Sequence, residues 1–89
     1  MRIKDGYLLR VVADTYIVVP VAERVIEFKG MMTINELAAA IWEFMHDADR
    51  SYDDILNHIL SLYEVDIETA GRDLDKLLEQ MQRIGVLEP

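Results

Sequence analysis

The chain has 89 residues, 52% of them hydrophobic, no cysteine and a formal net charge of −8. That length builds one core and not two, the absence of cysteine excludes disulfides and thiolate metal sites, and no apolar run approaches the ~18 residues that suggest a membrane span. Residues 1–30 carry five basic and four acidic side chains, net +1, and residues 31–89 carry four basic and thirteen acidic, net −9, so the second part should repel nucleic-acid phosphates and anionic membrane surfaces.

The start, "MRIKDG", has no apolar signal region behind its charges, which leads to the expectation of a cytoplasmic protein. "YLLRVVA" and "YIVVPV" come next, rich in the β-branched and aromatic residues that suit a pleated surface. Asp14-Thr15 between them is expected to make a tight turn. Pro20 should end the second strand, because it has no N–H to give to a ladder. "RVIEFKG", residues 24–30, reads as a third and last strand, with Ile26 and Phe28 on one face and Val25, Glu27 and Lys29 on the other. The simplest arrangement is a three-stranded antiparallel meander with the first and third strands at its edges.

The rest reads as three helices. Thr33 or Asn35 caps the first, with Leu37, Ala40, Ile41, Phe44 and Met45 as its apolar stripe. Ser51 opens the second, with Asp54 at capping-box spacing and Ile55, Ile59, Leu62 and Tyr63 along one side. Asp66 caps the longest, over about 67–84, with Ile67, Ala70, Leu74, Leu77, Leu78, Met81 and Ile84 at the 3.6-residue period. Gly85 is placed to stop it, and Val86 and Leu87 to fold back on the core. The expected architecture is one α+β domain over 1–89, winged-helix-like, with strands over about 6–29 and helices over about 35–85.

Chemistry-bearing residues are sparse. His46 and His58 lack the i,i+4 spacing of a helical zinc pair. "DADRSYDD" lacks the central glycine and the final glutamate of an EF-hand loop. No glycine-rich phosphate loop occurs, and "SLYEVD" has a serine and two acids but no base. Neither catalysis nor a cofactor is expected. A winged-helix DNA-binding regulator would need a basic recognition helix. The second helix instead carries Asp53 and Asp54, and the third sets Arg72, Lys76 and Arg83 against Glu68, Asp73, Asp75 and Glu79. The edge of the last strand admits three occupants: an incoming extended peptide, nothing, with Glu27 and Lys29 blunting it, or a second copy in a homodimeric adaptor without a peptide ligand.

Taken whole, the chain resembles the PqqD family, small peptide chaperones whose fold is also called the RiPP recognition element (RiPP, a ribosomally made and post-translationally modified peptide). The resemblance is carried by "GYLLRVVADTYIVVP", "INELAAAIWEFM", "SYDDILNHILSLYEVD" and "AGRDLDKLLEQMQRIGVLE", in that order. "PVAERVIEFKGMMTINE" is longer than, and different from, the Pro-Glu-Gly turn of the pyrroloquinoline quinone members, which marks a divergent member. The family resemblance implies a non-enzymatic module, monomeric or homodimeric, for the leader segment of a precursor peptide. The leader adds as a strand to the third strand and lies along the third helix, and a modifying enzyme such as a radical SAM protein then acts on the attached core peptide. Carried onto this sequence, the strand side is Val25, Ile26, Glu27, Phe28 and Lys29, and the helix side is Asp73, Leu77, Gln80 and Ile84, with Lys76 just outside. The acidic helical part leads to the expectation of a leader with some Lys or Arg near its apolar anchors.

Overall fold

The computed structural model describes residues 1–21 and 32–88. The element order is β1 (Arg2–Ile3), β2 (Tyr7–Val12), β3 (Thr15–Pro20), β4 (Met32–Ile34), α1 (Glu36–Asp47), α2 (Tyr52–Leu62), α3 (Ile67–Ile84) and β5 (Leu87–Glu88). β2, β3 and β4 form a three-stranded antiparallel sheet in that order. Three helices come after it in the chain, giving an α+β fold.

β2 and β3 form a hairpin in which Val12 pairs with Thr15 and Tyr7 with Pro20. The two loop residues, Ala13 and Asp14, have φ of 49° and 65°. Two successive positive φ values match the strand twist, so the turn falls one residue earlier than expected from Asp14-Thr15. Pro20 ends its strand, as its lack of an N–H leads one to expect. The third strand of the described sheet is Met32–Ile34, in register with Val18, Ile17 and Tyr16. The expected strand residues 25–29 lie outside the described residues. A short strand thus precedes α1, so the chain beyond residue 30 is not purely helical as its sequence suggests. Thr33 faces outward and Met32 and Ile34 inward, on the side of the buried Val18.

Each helix starts where a side-chain oxygen meets orphan backbone donors. Asn35, with extended backbone, accepts from Ala38 N at 2.8 Å. Ser51 Oγ accepts from Asp54 N at 3.0 Å while Ser51 N donates to Asp54 Oδ2 at 3.1 Å, a complete capping box. Asp66 accepts from Thr69 N at 2.7 Å. Gly85 ends α3 at φ 82°, and its N–H and that of Val86 both reach the Met81 carbonyl at 3.1 Å. That left-handed cap turns the chain so that Val86 is fully buried. Leu87–Glu88 then pairs with Arg2–Ile3 in a two-stranded clasp that was not expected from the sequence.

The core gathers Ile3, Tyr7 and Val18 from the strands with Ile41, Trp42 and Met45 of α1, Ile55 and Ile59 of α2, and Ala70, Leu74, Leu77 and Met81 of α3. Tyr7 meets Trp42 edge-on, with ring centroids 6.4 Å apart, which fixes the sheet against α1. The stripe expected on α1 is rotated. Ala38, Ala39 and Trp42 are buried, whereas Leu37, Ala40 and Phe44 are only half-buried. At the α2–α3 corner, Leu62 and Ile67 are 51% and 61% exposed, so neither belongs to the core assigned to it. Phe44 instead stacks on His58, at 3.9 Å between centroids, and carries the Arg50 guanidinium 4.0 Å from its ring centre.

Candidate functional site

α3 presents two faces. Ala70, Leu74, Leu77 and Met81 point into the core, where α3 packs on α2 and the sheet. The adjoining flank repeats every three or four residues: Asp73, Lys76, Leu77, Gln80, Arg83 and Ile84. Opposite it stand Met32, Thr33 and Ile34 of β4 and the first turn of α1, Asn35, Leu37 and Ala38. Together they line a groove of about 630 Å³.

Its construction arises from local sequence. Asn35 ends β4 and starts α1 in one residue, so the strand and the helix start lie along the same wall. Ala38 and Leu77, both buried, give it apolar lining, with Met32, Ile34, Leu37 and Ile84 half-buried beside them. Among the described residues β4 is bonded to β3 on one side only, and its three residues all line the groove; a strand edge without a partner offers backbone donors and acceptors to an extended chain.

All five helix residues assigned from the sequence, Asp73, Lys76, Leu77, Gln80 and Ile84, come together on this wall, Lys76 included. Leu77 serves both faces, being 8% exposed and still a lining residue. Of the five strand residues, Val25, Ile26, Glu27, Phe28 and Lys29, none falls within the described residues. Met32, Thr33 and Ile34 were not assigned from the sequence. Their alternation of apolar, polar and apolar was the available signal, but three residues are too few to separate a strand from the start of a helix.

The groove wall is electrostatically mixed. Among the described residues that line it, Asp73 is the acid, and Lys76 and Arg83 are the bases. Arg83 donates to Glu79 one turn back on α3 at 2.9 Å, and both partners are 70% exposed. On the far side of α3, the Tyr52 hydroxyl donates to Asp75 Oδ1 at 2.6 Å, tying α2 to α3 away from the groove. The hydrogen bond to the Asp75 carboxylate pushes the Tyr52 hydroxyl pKa up. Asp49, Asp54 and Asp66 are all held below the usual carboxylate value: Asp49 by the Met1 ammonium at 2.6 Å, Asp54 by the Ser51 N–H, and Asp66 by the Thr69 N–H. Most of the "DADRSYDD" acids thus have a local task or face solvent, and no group of three metal-ligating side chains forms among the described residues.

A second, smaller recess of about 300 Å³ lies between β2 and α1, lined by Tyr7, Leu8, Leu9, Trp42, Glu43, His46 and Asp47. It contains none of the assigned residues. Among the described residues no helix is long and apolar enough to cross a membrane.

The family model described as Coenzyme PQQ synthesis protein D (PqqD) matches residues 13–87. No curated protein matches the chain. A solved structure, "TbiB1 in Complex with the TbiA(beta) Leader Peptide", is similar at 20% identity, over 99% of this chain and 95% of that one, with a TM-score of 0.75. At that identity the likeness is one of fold.

Proposed function

The chain belongs to the PqqD family, and from that premise we propose that it is a non-enzymatic, cytoplasmic recognition module for the leader segment of a ribosomally made precursor peptide. The observation that carries this reading is the groove between the β4 edge and the α3 flank. One wall is a strand with a single partner strand among the described residues, and the other offers side chains. An extended peptide needs both: main-chain bonds for affinity and pockets for alternate side chains for specificity. TbiB1, the structural neighbour, is itself in complex with a leader peptide.

In this reading the leader adds as a strand beside Met32, Thr33 and Ile34. Its inward side chains lie on Ile34, Leu37, Leu77 and Ile84, and its outer flank passes Lys76, Gln80 and Asp73. Two or three main-chain hydrogen bonds at about 1 kcal/mol each and three apolar anchors at about 2 kcal/mol each oppose an association cost of at least ~4 kcal/mol. The remainder corresponds to weak, reversible binding, in the range of hundreds of micromolar to millimolar, before any help from residues flanking the groove. That suits a carrier that must hand its cargo on. The chemistry is left to a partner enzyme, a radical SAM protein or another peptide-modifying enzyme, that acts on the core peptide held outside the groove.

The test is a titration of the protein with a labelled peptide copied from the leader of a precursor encoded beside its gene. Saturable binding that is lost when Gln80→Trp fills the groove supports the reading. Equal binding by the Gln80→Trp variant, with its fold intact by circular dichroism, rejects it.

A further inference from the structure

Resting on the leader-recognition reading, the charge order along the groove says which peptides it selects. The chain is acidic as a whole, but this wall is not. Asp73, Lys76 and Arg83 succeed one another along α3. At 1.5 Å per residue Lys76 stands about 4.5 Å beyond Asp73 along the axis, and Arg83 about 10 Å beyond Lys76. Arg83 is already met by Glu79. Lys76 is exposed and makes no ion pair among the described residues. Beside it lies the apolar floor of Leu77, Ile84, Met32 and Ile34.

We propose that the groove selects an extended peptide carrying an Asp or Glu carboxylate at Lys76, flanked by apolar side chains, and disfavours the same carboxylate one turn toward the start of α3, where Asp73 stands. This reverses the expectation drawn from net charge. The reason is range. Exposed charges are screened within about 8 Å at physiological salt, so the cation in contact outweighs the acids spread over the rest of the surface. An exposed contact pair of this kind changes affinity roughly 1.5- to 5-fold, enough to rank peptides that share apolar anchors.

A displayed library of random dodecapeptides, selected at physiological salt on the immobilised protein and separately on the Lys76→Glu variant, tests the proposal without knowledge of the natural ligand. The most enriched peptide is then synthesised with Glu, Gln or Lys at the candidate position and titrated by fluorescence anisotropy. The expected result is enrichment of Asp or Glu at a fixed offset from an apolar pair, a roughly 1.5- to 5-fold weakening on change to Gln, and a larger one on change to Lys. Lys76→Glu should invert that order. Because Lys76 is exposed, the variant keeps its fold, which its thermal melt verifies. Enriched peptides without an acidic preference, or a preference that Lys76→Glu leaves unchanged, overturn this proposal alone. If neither protein enriches any peptide, the proposed selection falls, while leader recognition stands or falls on the titration with the leader peptide.

Discussion

Leu74 and Lys76 lie two residues apart on α3, yet one is fully buried and the other faces an open groove. The same helix is a structural beam on one side and a candidate recognition surface on the other. Leu77 stands at the border and contributes to both. The core face must be apolar and close-packed, so its identity is dictated by the fold. The groove flank is free of that demand, so its mixture of Asp73, Lys76, Gln80 and Arg83 is available to serve a ligand.

Substitutions should separate the two faces. Leu74→Ala removes a fully buried side chain and should cost about 2–5 kcal/mol of stability, read from a urea titration, with binding lost only because the fold is lost. Ser51→Ala removes one half of the α2 capping box, far from the groove, and should cost about 1 kcal/mol while leaving peptide affinity unchanged. Gly85→Ala forces an alanine into the left-handed conformation at φ 82° and should lower stability by about 1 kcal/mol, although open space surrounds a new Cβ there. Gln80→Ala, on the groove flank, should change stability by less than about 0.5 kcal/mol and yet weaken leader binding. A large stability loss at Gln80, or a binding loss at Ser51 without unfolding, would erase the distinction between the faces.

The smallest expected effect is the pH dependence, which belongs to the scaffold and not to the groove. Asp49, Asp54 and Asp66 have carboxyl pKa values lowered by folding. Their contribution is therefore present above the ordinary carboxylate value of about 4 and is lost as pH falls through the lowered values. Tyr52 has the opposite sign. Its raised value gives a contribution present below about pH 10 and lost as pH rises further. Thermal melts between about pH 7 and 3 should therefore show a decline on acidification, which Asp66→Asn should reduce.

The helices were legible in the sequence because their signals are local. Asn35, Ser51 with Asp54, Asp66 and Gly85 mark ends through side chains or backbone freedom that act within one turn. The strong 3.6-residue period of α3 also told which of its residues share a side, while the choice of that side as the candidate wall came from the family resemblance. The β1–β5 clasp was not legible, because two-residue strands have no periodicity and their pairing joins opposite ends of the chain. Nor was the inward turn of Trp42, which depends on Tyr7 arriving from the sheet. Met32, Thr33 and Ile34 were hidden between an expected strand and a clear helix cap, too short to announce themselves.

The central claim is that a peptide strand lies between β4 and the α3 flank, and amide NMR of the labelled protein during titration with the neighbouring leader tests it most directly. The account predicts shifts confined to residues 32–38 and to the 73–84 flank, with slowed hydrogen exchange in β4. Shifts gathered at the Trp42–His46 recess, with β4 and Gln80 unmoved, would contradict it.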